Sequence, residues 1–249
     1  MDDETRRGIE TFRRWVDDAP AGGMVFFGGA GVSTESGIPD FRSPDGLYAQ
    51  KYPHPPEQMI SRSFFDAHPR DFFDFYCDRM LALDAQPNQA HRKLAELESA
   101  GTLSAVVTQN IDGLHQKAGS SNVLELHGSV LRNYCMECGA AYSVDELLAQ
   151  REQAEDGVPR CPACGGIVKP DVVLYEEALD ERTLQASVDA IARAALMVVA
   201  GTSLAVYPAA GLLDFFQGDH LVIVNRTPTP RDRQADLCLA ANVGEVFDF

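Results

Sequence analysis

Positive charge and long apolar runs are both scarce in this 249-residue chain, and so are repeats. Lys and Arg number 21 against 37 Asp and Glu, a net charge of −16, and no basic block is long enough to follow a phosphate backbone. Direct nucleic-acid binding is therefore disfavoured. No stretch approaches the ~20 apolar residues of a bilayer span, and the N-terminal MDDETRRGIETFRRW lacks the apolar centre of a signal peptide. A soluble, cytoplasmic protein with no membrane partner is expected. No internal repeat or low-complexity tract is visible. What remains is ordinary globular usage, with 45% hydrophobic residues, 23% charged residues and 20 glycines, enough for a sizeable core.

The apolar runs are short and do not alternate. MVFF at 24–27 stops at Gly28-Gly29-Ala30-Gly31, as a buried parallel strand does on entering a glycine-rich turn. Runs of the same kind occupy 103–107, 123–126, 196–200 and 221–224. Helical patterns lie between them at 88–100 and 180–195, and a first helix opens after Asp2 or Asp3 with Ile9, Phe12, Trp15 and Val16 on one face. Alternating strands and helices predict an α/β fold with a mainly parallel sheet, whose ligands belong at the strands' carboxyl ends. Two segments break the rhythm. Residues 40 to about 69, rich in Pro, Ser and His, read as a long cover loop with a short helix; 132–169 carries four of the six cysteines.

The glycine turn continues as GAGVSTESGIPDFRS, Gly29 to Ser43. Lacking side chains at Gly29 and Gly31, its backbone amides can approach a pyrophosphate, and Ser33 and Thr34 add hydroxyl donors. An ordinary dehydrogenase fits poorly, because Thr34 stands where that fingerprint places glycine and no acidic ribose ligand ends a second strand. TQNIDGLH sets Gln109, Asn110 and Asp112 at the end of one strand, where the same residues would also serve as a turn and helix cap. His127-Gly128 ends the next strand; a histidine there can act as general base near neutral pH, and the glycine leaves room for a ligand. Gly201, Thr202 and Ser203, in GTSL, and Asn225 close two further strands with donors for phosphate or ribose.

Cys135-x-x-Cys138 and Cys161-x-x-Cys164, 22 residues apart, fit two knuckles of a tetrahedral four-thiolate zinc site. Four thiolates close the coordination sphere, so one zinc ion there would be structural. A redox pair or an iron–sulfur cluster is the alternative chemistry. Cys77 and Cys238 stand alone.

Taken in order, GAGVSTESGIPDFRS, TQNIDGLH, His127-Gly128, the paired cysteines, GTSL and VIVN resemble the sirtuin family of NAD-dependent protein deacylases over roughly residues 8–247, and its compact bacterial members in particular. The resemblance implies a Rossmann-like parallel-sheet domain binding NAD over 1–131 and 170–249. A small zinc-ribbon domain would be inserted at 132–169, with the cover at about 40–85 completing the cleft. It implies NAD contacts at Gly29, Ala30, Gly31, Thr34, Phe41, Arg42, Gln109, Ile111, Asp112, His127, Gly201, Thr202, Ser203, Asn225 and Arg226. Phe41, Ile111 and Asp112 would surround nicotinamide, and Asn242 and Val243 would lie near adenine.

By the same resemblance, nicotinamide leaves and the acyl oxygen of the substrate lysine captures the ribose. His127 then acts as general base on the ribose hydroxyls and Asn110 positions ribose or water. Free lysine and O-acyl-ADP-ribose result. Acyl-lysine proteins or peptides are the expected partners of a monomeric enzyme. They would add as a strand between 170–177 and 203–208, with Val173 near the acyl-lysine. Glu176 replaces the glycine common in the family, and with the net charge its carboxylate is expected to favour basic residues beside the target lysine. Tyr76 and Arg79, three apart on a helix after Pro69, resemble the Tyr-x-x-Arg pair with which some sirtuins bind succinyl or malonyl carboxylates. A tyrosine packed in the cover beside a solvated arginine is the plainer reading. A mono-ADP-ribosyltransferase and a non-catalytic NAD or zinc module are the competing functional classes.

Overall fold

The computed structural model describes residues 3–41, 46–49 and 52–249. Helix α1 (Asp3–Asp18) buries Ile9, Phe12 and Val16, which repeat at three- and four-residue spacing. Strand β1 (Met24–Gly28) follows, then the cover helices α2 (Pro56–Met59), α3 (Arg62–Ala67) and α4 (Pro69–Arg79). Next come α5 (Gln89–Ser99), β2 (Leu103–Thr108), α6 (Leu114–Ala118), β3 (Val123–Glu125), β4 (Gly128–Cys135), β5 (Ala141–Ser143), α7 (Val144–Gln153) and β6 (Val168–Val172). The chain ends with α8 (Glu181–Arg193), β7 (Leu196–Ala200), β8 (His220–Val224), β9 (Leu237–Leu239) and α9 (Val243–Val246).

Six strands pair in parallel in the order β3-β2-β1-β7-β8-β9. Their order reverses between β1 and β7, which opens a crevice at the carboxyl ends of those two strands. β1 reads MVFFG without alternation because both of its faces are covered. Met24 and Phe26 pack with residues of α1, α5 and α9, whereas Val25 and Phe27 pack with α8 and the 3₁₀ turn Ala209–Phe215.

β5, β4 and β6 form a separate antiparallel sheet, reaching from Gly128 to Val172 and so a little beyond 132–169 at each end. Its helix α7 opens with a capping box between Ser143 and Glu146. Leu147, Val158 and Val168 of this unit share one buried cluster with Phe64, Phe65, Phe72 and Phe73 of the cover. Among the described residues the cover thus shares its core with the cysteine-bearing sheet. The expectation of one short helix in 40–69 is corrected: Pro56 at the first turn starts α2, and the Ser61 side chain, accepting from the Phe64 amide, starts α3.

Candidate active site

The loops leaving β1 and β7 are welded together. Gly201 sits at φ 60, and a Cβ on Gly31 would lie 2.7 Å from the Gly201 Cα, so neither position admits a side chain. The Gly31 amide donates to the Gly201 carbonyl at 2.8 Å and the Gly29 amide to that of Ala200 at 3.1 Å. These two amides were expected to face a pyrophosphate; they are instead engaged in joining the strand ends. The hydroxyls are engaged as well, since Thr34 Oγ1 donates to Gly31 O at 3.0 Å and Ser33 Oγ to Asp112 Oδ2 at 2.7 Å. Ala30 and Ser203 lie half-buried on the two loops.

The segment after β2 gathers the polar groups. Asn110 Nδ2 donates to Ser33 Oγ at 3.0 Å, so Asn110, Ser33 and Asp112 form one chain, and the other Asp112 oxygen accepts the Leu114 amide at 2.9 Å. Gln109 reaches across the switch point, its Nε2 donating to Thr202 Oγ1 at 3.1 Å. His127 Nδ1 lies 2.9 Å from the Gln109 carbonyl oxygen. A carbonyl only accepts, so Nδ1 carries the proton and Nε2 keeps a lone pair. Burial lowers the pKa of His127, partly opposed by that same hydrogen bond. Gly128, at φ 74, turns the chain directly into β4; a Cβ there would lie 1.9 Å from the Asp171 oxygen. The Val173 amide donates to the His127 carbonyl at 3.0 Å, which places Val173 beside the histidine.

Phe41 and Ile111 both pack half-buried against the aromatic cluster of the cover. Arg42 lies outside the described residues. Asn225 donates to the Thr227 carbonyl at 2.7 Å, and exposed Arg226 stands 3.6 Å from Asp40. Tyr76 and Arg79 diverge. Tyr76 is buried and stacked on Phe72, its hydroxyl without a partner among the described residues, while Arg79 is exposed beside Asp78 with its guanidinium over the Tyr52 ring.

The sulfur atoms of Cys135, Cys138, Cys161 and Cys164 all lie within 4.8 Å of one another, with 3.4 Å between Cys135 and Cys164 and 3.6 Å between Cys138 and Cys161. Thiolates at about 2.3 Å from a tetrahedral zinc stand ~3.8 Å apart, so the four sulfurs fit one ion. Each Cys-x-x-Cys closes as a matched knuckle, with Gly139 donating to Cys135 O and Gly165 to Cys161 O. The Tyr142 hydroxyl lies 3.0 Å from Cys161 Sγ, a donor for a thiolate. Four sulfur ligands leave no open position, which suits a structural metal.

Other contacts behind the site carry little sequence signal. Glu35 accepts the Gly244 amide at 2.7 Å and ties the β1 loop to α9. Asn88 Nδ2 donates to the Val32 carbonyl at 2.7 Å. His91 and His115 are buried with rings 4.7 Å apart, and burial pushes them down to about 4 and about 3. Of these only His91 was readable, three residues after Asn88, where it completes a capping box.

The Sir2 family model matches residues 29–208. The NAD-dependent protein deacetylase of Clostridium acetobutylicum is 53% identical over 232 residues, 92% of this chain and 93% of that protein. Two solved structures each match over 96% of this chain and 95% of their own. One is Sir2 with a deacetylated p53 peptide and 3′-O-acetyl ADP ribose, at TM-score 0.88 and 40% identity; the other is Sir2 with a p53 peptide and NAD+, at 0.86 and 39%. With the parallel sheet, the histidine at the carboxyl end of β3 and the four-cysteine cluster already in place, this similarity along nearly the whole chain is decisive: the chain belongs to the Sir2 family.

Proposed function

We propose that the protein is an NAD-dependent protein lysine deacylase, which moves the acyl group from lysine to ADP-ribose and releases nicotinamide. One observation carries the reading: His127 offers a lone pair on Nε2 just beyond the carboxyl end of β3, held by the Gln109 carbonyl beside the hydrogen-bonded chain of Asn110, Ser33 and Asp112. When bound, NAD supplies an electrophilic ribose carbon with nicotinamide as its neutral leaving group.

The chain's own residues do the rest. Asp112, held from two sides by Ser33 and the Leu114 amide, offers a fixed carboxylate to a carboxamide donor. Phe41 and Ile111 supply an apolar wall that keeps water from the leaving group. His127 Nε2 takes the proton of a ribose hydroxyl, and Gln109 holds the ring in the tautomer that can do so. Asn110 orients the ribose. Gly29, Gly31 and Gly201 let the loops after β1 and β7 close on each other, and Ala30, Thr34, Thr202, Ser203, Asn225 and Arg226 on the adjoining strand ends serve the phosphates and adenosine. Val173 stands where a strand-adding peptide would bring its acyl-lysine.

Cys135, Cys138, Cys161 and Cys164 would hold one zinc ion as a cross-link, in an inserted domain at 132–169, between 1–131 and 170–249, whose sheet extends to Gly128 and Val172. A monomeric, cytoplasmic enzyme belongs to the same proposal, and sedimentation of the purified chain checks the first part. Mass spectrometry of the products from NAD and an acyl-lysine peptide tests the function. O-acyl-ADP-ribose supports it, an ADP-ribosylated protein acceptor points to a transferase, and unchanged NAD points to a binding module.

Removal of acidic acyl groups is the second reading, favoured by the buried Tyr76 hydroxyl, which has no partner among the described residues. Arg79 would have to leave Asp78 to join it. Turnover of acetyl-lysine against succinyl-lysine in one peptide decides between them.

A further inference from the structure

Residues 173–175 lie between His127 on one side and the cover on the other. The Val173 amide donates to His127 O, while the Tyr175 amide donates to Ile60 O and the Arg62 amide to Tyr175 O, each at 3.0 Å, forming a parallel bridge between Ser61 and Tyr175. The first three amides of α3 all find acceptors in consequence: Arg62 on Tyr175 O, Ser63 on Glu176 Oε2 at 2.8 Å, and Phe64 on Ser61 Oγ. The second oxygen of Glu176 accepts the Ser63 hydroxyl at 2.9 Å. The next residue completes the attachment. Glu177 accepts from Arg62 Nη1 at 3.1 Å, Lys169 Nζ at 3.2 Å and the Leu174 amide at 2.8 Å.

Glu176 holds this place at φ 76, in the left-handed region where glycine is at ease and a side chain is strained. A residue that a turn disfavours needs an offsetting contact, and the carboxylate supplies two hydrogen bonds to Ser63. Both of its oxygens face the cover, which leaves the charge poorly placed to select basic residues in a peptide. We infer that Glu176 is a positioning residue: its carboxylate fixes α3 onto segment 173–175 and so sets the peptide-docking edge next to His127. This rests on the deacylase reading for its kinetic consequence and on the hydrogen bonds alone for its structural one.

Glu176→Gly separates strain from contact, because it relieves the left-handed backbone while deleting the clamp. Folding and zinc content are expected to persist. Exchange of the Ser63 amide, followed by hydrogen–deuterium exchange, should rise about fivefold or more, the scale of an exposed charge-assisted hydrogen bond. KM for an acyl-lysine peptide should rise by about the same factor with kcat little changed, equally for peptides with neutral and with basic flanks. Ser63→Ala should give a smaller effect and add little to Glu176→Gly. Unchanged Ser63 exchange overturns the clamp. A KM effect confined to basic-flanked peptides makes Glu176 a docking charge and overturns it too, as does a uniform fall of kcat, both KM values and Tm. A wild-type chain without deacylase activity would sink the functional reading, yet the exchange measurement would still judge the clamp.

Discussion

Nδ1 of His127 stands 2.9 Å from the carbonyl oxygen of Gln109, so the end of β2 fixes the protonation pattern of a ring at the end of β3. With Nδ1 committed as donor, Nε2 is the nitrogen that can accept a proton. His127→Ala should lower acyl removal by about 10²- to 10⁴-fold, the usual scale of general-base catalysis, with zinc content and circular dichroism preserved. Because burial is the larger influence on the ring and lowers its pKa, the acid limb of kcat/KM should fall below the ordinary histidine value near 6.5. An acid limb above that value would contradict the buried-base assignment.

Ser33 is the link between Asp112 and Asn110, accepting from one and donating to the other at 3.0 and 2.7 Å. Ser33→Ala deprives the buried Asn110 amide and the half-buried Asp112 carboxylate of that partner. The expected outcome is a roughly tenfold loss in kcat/KM for NAD, equivalent to about 1.4 kcal/mol, and weaker product inhibition by nicotinamide. KM for the acyl peptide should hardly move. Initial-rate kinetics with each substrate varied separately check this, and equal losses for both substrates would argue for general disruption.

The cysteine cluster and the cover share one apolar core, whereas the two faces of the parallel sheet are packed by other residues. Removing zinc should therefore open residues 128–172 and the cover while leaving the parallel sheet folded. After a strong chelator, or in Cys161→Ser, limited proteolysis should cut within those segments and acyl-peptide turnover should be lost. Stoichiometric zinc should restore the chelated wild type. A global loss of protection in β1 and β7 would show instead that the metal supports the entire chain.

The parallel sheet was legible because its physics is local. MVFF and LMVVA are buried on both faces and so read as unbroken apolar runs, and each stops where the chain needs glycine, at Gly28 and Gly201. The zinc knuckles were legible for the same reason, since Cys-x-x-Cys spacing is set by one turn. What escaped depends on partners distant in sequence. Nothing near Ser33 announces Asp112, 79 positions away, and nothing near Glu176 announces Ser63, 113 positions away. Tyr76 and Arg79 show the converse: helical spacing puts them close, but burial among Phe65, Phe72 and Phe73 takes one inward while the helix end leaves the other in solvent, as the plainer of the two sequence readings has it.

Acid should unfold this protein through His91 and His115. The His91 Nδ1 accepts the Asn88 amide at 3.3 Å, so its proton sits on Nε2, a buried atom with no partner among the described residues, which also leave both nitrogens of His115 unsatisfied. A second proton on His91 would abolish that capping bond, and on either ring it would place charge next to the other ring in an apolar setting. Burial accordingly lowers the two groups to about 4 and about 3, with Asp112 partly opposing the shift at His91. Exposed histidines protonate near 6.5, so below that pH the unfolded chain binds protons that the folded chain refuses. Stability is then complete above about 6.5 and declines on acidification by up to ~1.4 kcal/mol per pH unit for each ring, until the folded-state values are reached. Urea unfolding between pH 7 and pH 4.5 measures that slope. His115→Phe, which keeps an aromatic ring edge-on to Phe26, should flatten it, and an unaltered slope in that variant would assign the acid sensitivity to other groups.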